Sequence, residues 1–134
     1  MAAVLRYYDH APGQRRAAPT ERVLRLASER VSLREIIRRR VECEVAAYNS
    51  GEPASLFEGL VQPTDSEREL NGYRLRNRRL LDADEQVRVA CEAFERRGFI
   101  VLFDERQVEN LDEHLVLTGA NRLAFLRLMP LVGG

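Results

Sequence analysis

Residues 99–134 read FIVLFDERQVENLDEHLVLTGANRLAFLRLMPLVGG. Phe99 to Phe103 is a continuous apolar run, the pattern of a strand buried on both faces. Asp104 to Gln107 forms a polar turn leading to Val108, and Leu111 to Leu117 is intermediate, with Asp112, Glu113 and His114 expected to face water. Arg122 to Met129 reads as the last strand. Strand periodicity puts Leu123, Phe125 and Met129 on one face and Ala124, Leu126 and Leu128 on the other. A strand apolar on both faces needs cover on both, or offers one of them to a partner.

Working back toward the start, a helix is expected from about Ala83 to Arg97. Asp82 and Glu85 are a capping pair, Ala83, Val87, Ala90, Cys91 and Phe94 supply the apolar stripe, and Gly98 stops it. Residues 50–81, punctuated by Pro53, Gly59, Pro63 and Gly72, read as mostly loop with short helical or strand pieces. The first helix is the best-marked element. Ser32 and Glu35 form an S-x-x-E capping box, Leu33, Ile37, Val41 and Val45 recur every four residues, and Asn49-Ser50-Gly51 ends it. Before it, Ala2–Tyr8 and Glu21–Ala27 suit two strands of a hairpin, with Leu24 and Leu26 on one face and a loop over 9–19.

Composition narrows the classes of function. The 134 residues carry 21 basic and 21 acidic side chains, so bulk charge supports neither nucleic-acid nor membrane binding. No apolar run approaches a membrane span, and the first residues lack the layout of a signal peptide, so a cytoplasmic protein is expected. Cys43 and Cys91 stand alone within helices and read as ordinary core thiols. Four suitably spaced zinc ligands cannot be assembled, so no metal is expected. Every one of the basic residues is arginine and none is lysine.

The order strand, strand, helix, strands, Gly-Gly resembles the β-grasp fold. The C-terminal stretch is similar to the last third of ubiquitin: FIVLF, then Gln107-Val108, then Asn121 to Leu128, then Gly133-Gly134. The ending Met129-Pro130-Leu131-Val132-Gly133-Gly134 also resembles sulfur-carrier proteins of molybdopterin and thiamin synthesis, which tend to carry proline before Gly-Gly. Residues 2–49 fit the first hairpin and helix by order and length, so the likeness covers roughly 85 residues in two blocks. It is nearest to elaborated bacterial ubiquitin-like proteins associated with activating and conjugating enzymes. The resemblance implies an α+β fold: a mixed β-grasp sheet of four or five strands with one packed helix. A single domain would then carry an inserted loop-helix segment at about 50–98 and a flexible tail at about 129–134.

The same resemblance implies the chemistry. A ubiquitin-like modifier is activated at its Gly134 carboxylate by an ATP-dependent, E1-like enzyme, passed where needed to an E2-like enzyme, and joined to target proteins. The carrier supplies an electrophile and no catalytic residues, and it needs no cofactor. Gly133 and Gly134 lack Cβ atoms and permit close approach in a narrow channel. Leu128, Leu131 and Val132 offer the partner apolar contacts, and Pro130 lowers the entropy lost on docking. Ile100 and Leu126 belong to the sheet face opposite the packed helix, which either the second helix covers or a partner enzyme binds. A thiocarboxylate-bearing sulfur carrier, and a non-catalytic interaction module with an inert tail, are the alternatives.

Two further features invite a function and are better explained otherwise. The segment Tyr73-Arg74-Leu75-Arg76-Asn77-Arg78-Arg79 has the donors to bind phosphates, but acidic neighbours from Glu67 to Glu85 make an ion-paired surface the expected state. His10 and His114 stand apart from any nucleophile, and no hydrolase, zincin, P-loop or dinucleotide motif is present, so the chain is not expected to be an enzyme.

Overall fold

The computed structural model describes residues 2–10, 21–51, 55–69 and 72–128. It is an α+β structure with two helices and a mixed five-stranded sheet. The residues group into two units, 1–36 with 93–134, and 37–92, so that the division falls within both helices.

In the first unit, β1 (Ala3–His10) pairs antiparallel with β2 (Arg22–Leu26), as the expected hairpin requires. A short strand β3 (Arg30–Ser32) follows, then the start of α1 (Leu33–Asn49). Strands β4 (Ser66–Glu69) and β5 (Gly72–Leu75) and most of α2 (Ala83–Glu95) belong to the second unit. The chain then returns with β6 (Phe99–Phe103), β7 (Arg106–Val108), β8 (His114–Val116) and β9 (Arg122–Arg127). The main sheet has the order β2-β1-β9-β6-β7, with β9 parallel to β1 and antiparallel to β6. Separately, β3 pairs antiparallel with β8. Sequence patterning does not mark that three-residue ladder.

Alternation decides which side chains fill the core. Leu5, Tyr7, Leu24, Leu26, Val101, Val108, Leu123 and Phe125 share the inner face and are all buried. Tyr7 meets Phe125 edge-on at 6.0 Å, and Phe125 meets Phe99 at the same distance. Phe94, from the last turn of α2, joins this face with its ring 5.7 Å from Phe99.

The helix caps depart from the expected pattern in instructive ways. Ser32 Oγ accepts the Glu35 amide at 3.2 Å, but the Glu35 carboxylate accepts the Ser32 hydroxyl at 3.3 Å instead of reaching a backbone donor. The remaining first-turn amides find other acceptors: Leu33 donates to the Glu113 carbonyl and Arg34 to the Leu111 carbonyl, at 3.2 and 2.8 Å. In α2, Asp82 Oδ1 accepts the Asp84 amide at 3.1 Å, while Glu85 turns to Arg88. This helix ends at Glu95, two residues before the expected stop. Gly98 donates to the Ala93 carbonyl and Arg97 to the Phe94 carbonyl, a Schellman arrangement whose left-handed residue is Arg97, at φ 62°. Gly98 follows that position instead of occupying it.

A pair of left-handed residues closes the β6–β7 hairpin. Asp104 and Glu105 have φ of 48° and 71°, the primed turn that suits the twist of two strands joined by two residues. Asp104 holds the turn to the sheet, its amide donating to the Arg122 carbonyl and its carboxylate accepting the Arg122 amide, each at 3.0 Å. Left-handed geometry costs a residue with a Cβ about 1–2 kcal/mol, and glycine's extra freedom when unfolded returns about 0.5–1. Arg97→Gly or Glu105→Gly should therefore raise stability by about 0.5–1 kcal/mol each, seen as a higher urea midpoint at unchanged slope.

In the second unit, Val41, Val45, Tyr48, Phe57, Leu60, Leu75, Leu81 and Val87 are buried. Residues 50–81, expected to be mostly loop, contain the β4–β5 hairpin. Phe57 exchanges two backbone hydrogen bonds with Tyr73, at 2.8 and 2.9 Å. Gly72 makes this approach possible: its φ is 152°, and a Cβ there would lie 2.8 Å from the Phe57 carbonyl oxygen. Cys91 is buried as expected, but Cys43 is exposed, because it lies on a solvent-facing position of α1.

Pattern reading also misses a buried ion pair. Arg40 is 1% exposed, and its Nε donates to Glu44 Oε2 at 3.1 Å, while Glu44 Oε1 accepts the Leu60 amide at 3.1 Å. Removing one member leaves a charge stranded away from water. Glu44→Ala is expected to lose about 3–5 kcal/mol in urea unfolding, and Arg40→Met with Glu44→Leu should lose less than that single change.

Candidate functional site

The outer face of the main sheet is built by the residues alternate to the core. Ile100 pairs with Leu126, Leu102 with Ala124, Tyr8 with Ala124 and His10 with Leu126, so these side chains share one surface. Ala124 is buried among its larger neighbours, whereas Tyr8, Ile100, Leu102 and Leu126 are half-buried. Val4 is 46% and Val23 58% exposed. The reading of Phe99–Phe103 as buried on both faces is therefore corrected. Phe99 and Val101 are covered, but Ile100 and Leu102 keep contact with solvent. Phe94 packs on the Phe99 side of the sheet, the face opposite Ile100 and Leu126.

Charge on this face is uneven. Arg6 and Arg122 are register partners, and Glu21 sits between them, 3.5 Å from Arg6 and 3.9 Å from Arg122. Arg25 lies on the same face, paired with Val4. Arg6, Arg25 and Arg122 thus stand at this end with Glu21 between two of them, while the middle is apolar and His10 stands edge-on to Tyr8 at 5.1 Å.

The last described residue, Leu128, is 44% exposed. Its amide donates to the Gly98 carbonyl at 3.2 Å, so the chain leaves the sheet beside the start of β6. The final strand stops at Arg127, not at Met129. Of the residues expected to meet a partner, Ile100, Leu126 and Leu128 are brought to one end of one sheet. Pro130, Leu131, Val132, Gly133 and Gly134 lie outside the described residues.

The arginine-rich segment is engaged within its own unit. Arg74 pairs with Glu69 at 2.9 Å and Arg76 with Glu67 at 3.9 Å. Arg78 donates to the Tyr48 carbonyl at 2.9 Å with its guanidinium 4.0 Å from the centre of the Tyr48 ring, and Arg79 donates to the Thr64 carbonyl at 2.9 Å. Its donors are spent on intramolecular acceptors, which leaves little for phosphates. The Arg74 hydrogen bond holds the Glu69 carboxyl below its usual range.

Among the described residues no group of His, Cys, Asp and Glu could hold a metal ion, and no helix is long and apolar enough to cross a membrane. No family model, curated protein or solved structure matches the chain.

A groove of about 490 Å³ opens between the last turn of α2, the start of β6 and the segment after β7. Phe94, Phe99, Val108 and Leu111 line it with apolar surface, and Arg34, Arg97 and Asp112 are among its polar residues. Arg34 Nε donates to Asp112 Oδ1 at 3.1 Å, and this bond, with the attraction of the same guanidinium, holds the Asp112 carboxyl below its usual 3.8. The lowered value means a contribution to stability that is present above the ordinary carboxylate range and is lost as pH falls through the folded-state midpoint. Replacing Arg34 with Ala should move the Asp112 midpoint up toward 3.8 in a carbon-detected NMR titration, while distant carboxylates stay put.

Proposed function

We propose that this chain is a ubiquitin-like protein modifier of β-grasp architecture, activated at the Gly134 carboxylate and joined to target proteins. The observation that carries the reading is the position of the last strand. β9 lies at the centre of the sheet, parallel to β1 and antiparallel to β6, and Leu128 and then the sequence MPLVGG follow it. The order β2-β1-β9-β6-β7, with α1 following the first hairpin, is compatible with a β-grasp sheet and supports this reading. Unit 37–92 overlaps in sequence the insertion expected at about 50–98 but begins earlier, inside the first helix, and ends inside the second.

In this reading the protein brings no catalytic group. An E1-like enzyme positions the Gly134 carboxylate against the α-phosphate of ATP, forming an acyl-adenylate and releasing pyrophosphate. A thiolate of that enzyme then displaces AMP, and a target lysine amine finally displaces the thiolate, directly or after transfer to an E2-like enzyme. Rate acceleration comes from the partner's positioning and charge stabilisation. The contribution of this chain is recognition: the half-open Ile100–Leu126 surface suits an enzyme surface of apolar side chains. Because the sequence has no lysine, chains linked through lysine side chains of the modifier itself cannot form.

Pro130, just before Leu131-Val132-Gly133-Gly134, favours a second reading as a sulfur carrier, in which Gly134 holds a thiocarboxylate. Trypsin digestion of native-host lysate distinguishes the two, since cleavage after Arg127 releases Leu128–Gly134. The heptapeptide is expected as an isopeptide branch on lysines of other proteins. A free heptapeptide with sulfur in place of a terminal oxygen would establish the carrier instead. An unmodified carboxylate in every sample, with partner binding intact after deletion of Gly134, would reduce the protein to an interaction module acting through its sheet face.

A further inference from the structure

Strand β6 has two neighbours over part of its length and one over the rest. Phe99 to Phe103 all pair with β9, but only Val101 to Phe103 pair with β7. Two hydrogen bonds at the ends of the strand fix the direction of its backbone groups. The Leu128 amide donates to the Gly98 carbonyl, and the Asp104 amide donates to the Arg122 carbonyl. Even-numbered residues of β6 therefore turn their polar groups to β9, and odd-numbered residues turn theirs to the β7 side. Val101 and Phe103 meet β7 there. Phe99 faces the same way, and in the continued register its partner is Asn110. The chain turns off before that rung forms: the Asn110 carbonyl accepts the Glu113 amide, and its side chain accepts the Asp112 amide. Among the described residues no group bonds the Phe99 amide or carbonyl on that side.

The groove of about 490 Å³ lies at this missing rung. Phe99 lines it, and so do Glu109, Asn110 and Leu111 from the segment that turns away. All of its lining residues belong to one unit. Phe99 is 3% exposed, so a donor and an acceptor stand unpaired on a residue almost removed from water. Such groups cost free energy while unbonded, and an occupant that bonds both recovers it. One residue of an extended peptide carries an acceptor and a donor at the matching spacing. This complementarity of partial charge is what adds a strand to a sheet edge.

The geometry also selects a side chain. Cross-strand neighbours share a face, so the peptide residue opposite Phe99 points to the inner side, where Phe94, Val108 and Leu111 line the groove. An apolar side chain suits that wall. The rim carries both signs of charge, Arg97 with Glu95 and Glu109, so net charge favours neither an acidic nor a basic peptide.

We propose that this groove binds an extended segment of a partner protein, which adds beside the start of β6. The Phe99 amide donates to a carbonyl of that segment, the Phe99 carbonyl accepts an amide, and one apolar side chain seats against Phe94, Val108 and Leu111. The site uses no residue beyond Leu128 and does not depend on the reading of Gly134.

The probe comes from a phage-displayed library of heptapeptides with leucine fixed at the centre and the remaining positions randomised. The most enriched sequence is synthesised with both ends capped. At about ten times its dissociation constant it should slow hydrogen exchange of the Phe99 amide about tenfold, read by NMR on the full chain. Two changes are made in the peptide alone, so the fold of the protein is never in question. Aspartate in place of the leucine removes the apolar anchor, and a methyl group on the leucine nitrogen removes the donor to the Phe99 carbonyl. Each should weaken binding about tenfold or more. A library that yields no enriched sequence overturns the proposal. So does a peptide that binds while Phe99 exchange stays unchanged and shifts appear only at Tyr8, Leu102 and Leu126, or one whose methylated form binds equally well.

Discussion

The parallel pairing of β1 with β9 is the interaction on which the main sheet depends. It joins Arg6–His10 to Arg122–Leu126, and the Asp9–Arg127 ion pair at 3.4 Å closes over 118 residues of sequence. Without β9 the β1–β2 hairpin and the β6–β7 hairpin are separate two-stranded ribbons, which are marginal in water. With it they become one surface able to bury Leu5, Tyr7, Val101 and Phe125 together. Such long-range closure is slow to form, because loop entropy is lost before any contact rewards it. It also makes the last strand a structural centre, so whatever follows Leu128 issues from a rigid base.

A sheet with one covered face has a second face to account for. Here the inner side chains are buried almost completely, whereas the outer face is apolar in the middle and half-exposed, with Arg6, Arg122 and Glu21 at one end. That combination is costly for a surface with no partner, since apolar area left in water forgoes burial. The arginines and Glu21 at the end of the face limit nonspecific association through charge and give a partner an orientation. Burial and binding thus divide the two faces of the same strands, residue by residue.

Strain gathers at the turns, and buried charge lies in the other unit. Arg97, Asp104 and Glu105 hold left-handed geometry at two reversals flanking β6, where glycine would relax the backbone. The Arg40–Glu44 pair lies in the other unit, bonded to the Leu60 amide. A buried pair of this kind seldom adds stability over an apolar substitute, but it penalises arrangements that separate its members. Each departure from the locally favoured residue marks a place where geometry outweighs propensity.

By itself the sequence determined the hairpin of β1 and β2, both helices, the strand at Phe99–Phe103 and the final strand. Each rests on local periodicity and capping that neighbouring residues supply. It also marked Ile100, Leu126 and Leu128 as candidates for contact, through apolar character at alternate positions. Only the tertiary structure decided that Ile100 and Leu126 meet on one face, because register between strands far apart in sequence leaves no local trace. The same is true of the β3–β8 ladder, too short to have a period, and of the Arg40–Glu44 pair, whose charges read as solvated surface. Arg97 is the clearest case. Pattern alone assigns the helix stop to the adjacent glycine, yet the carbonyls of Ala93 and Phe94 place the left-handed residue one position earlier, since hydrogen-bond geometry and not residue type settles where a helix ends.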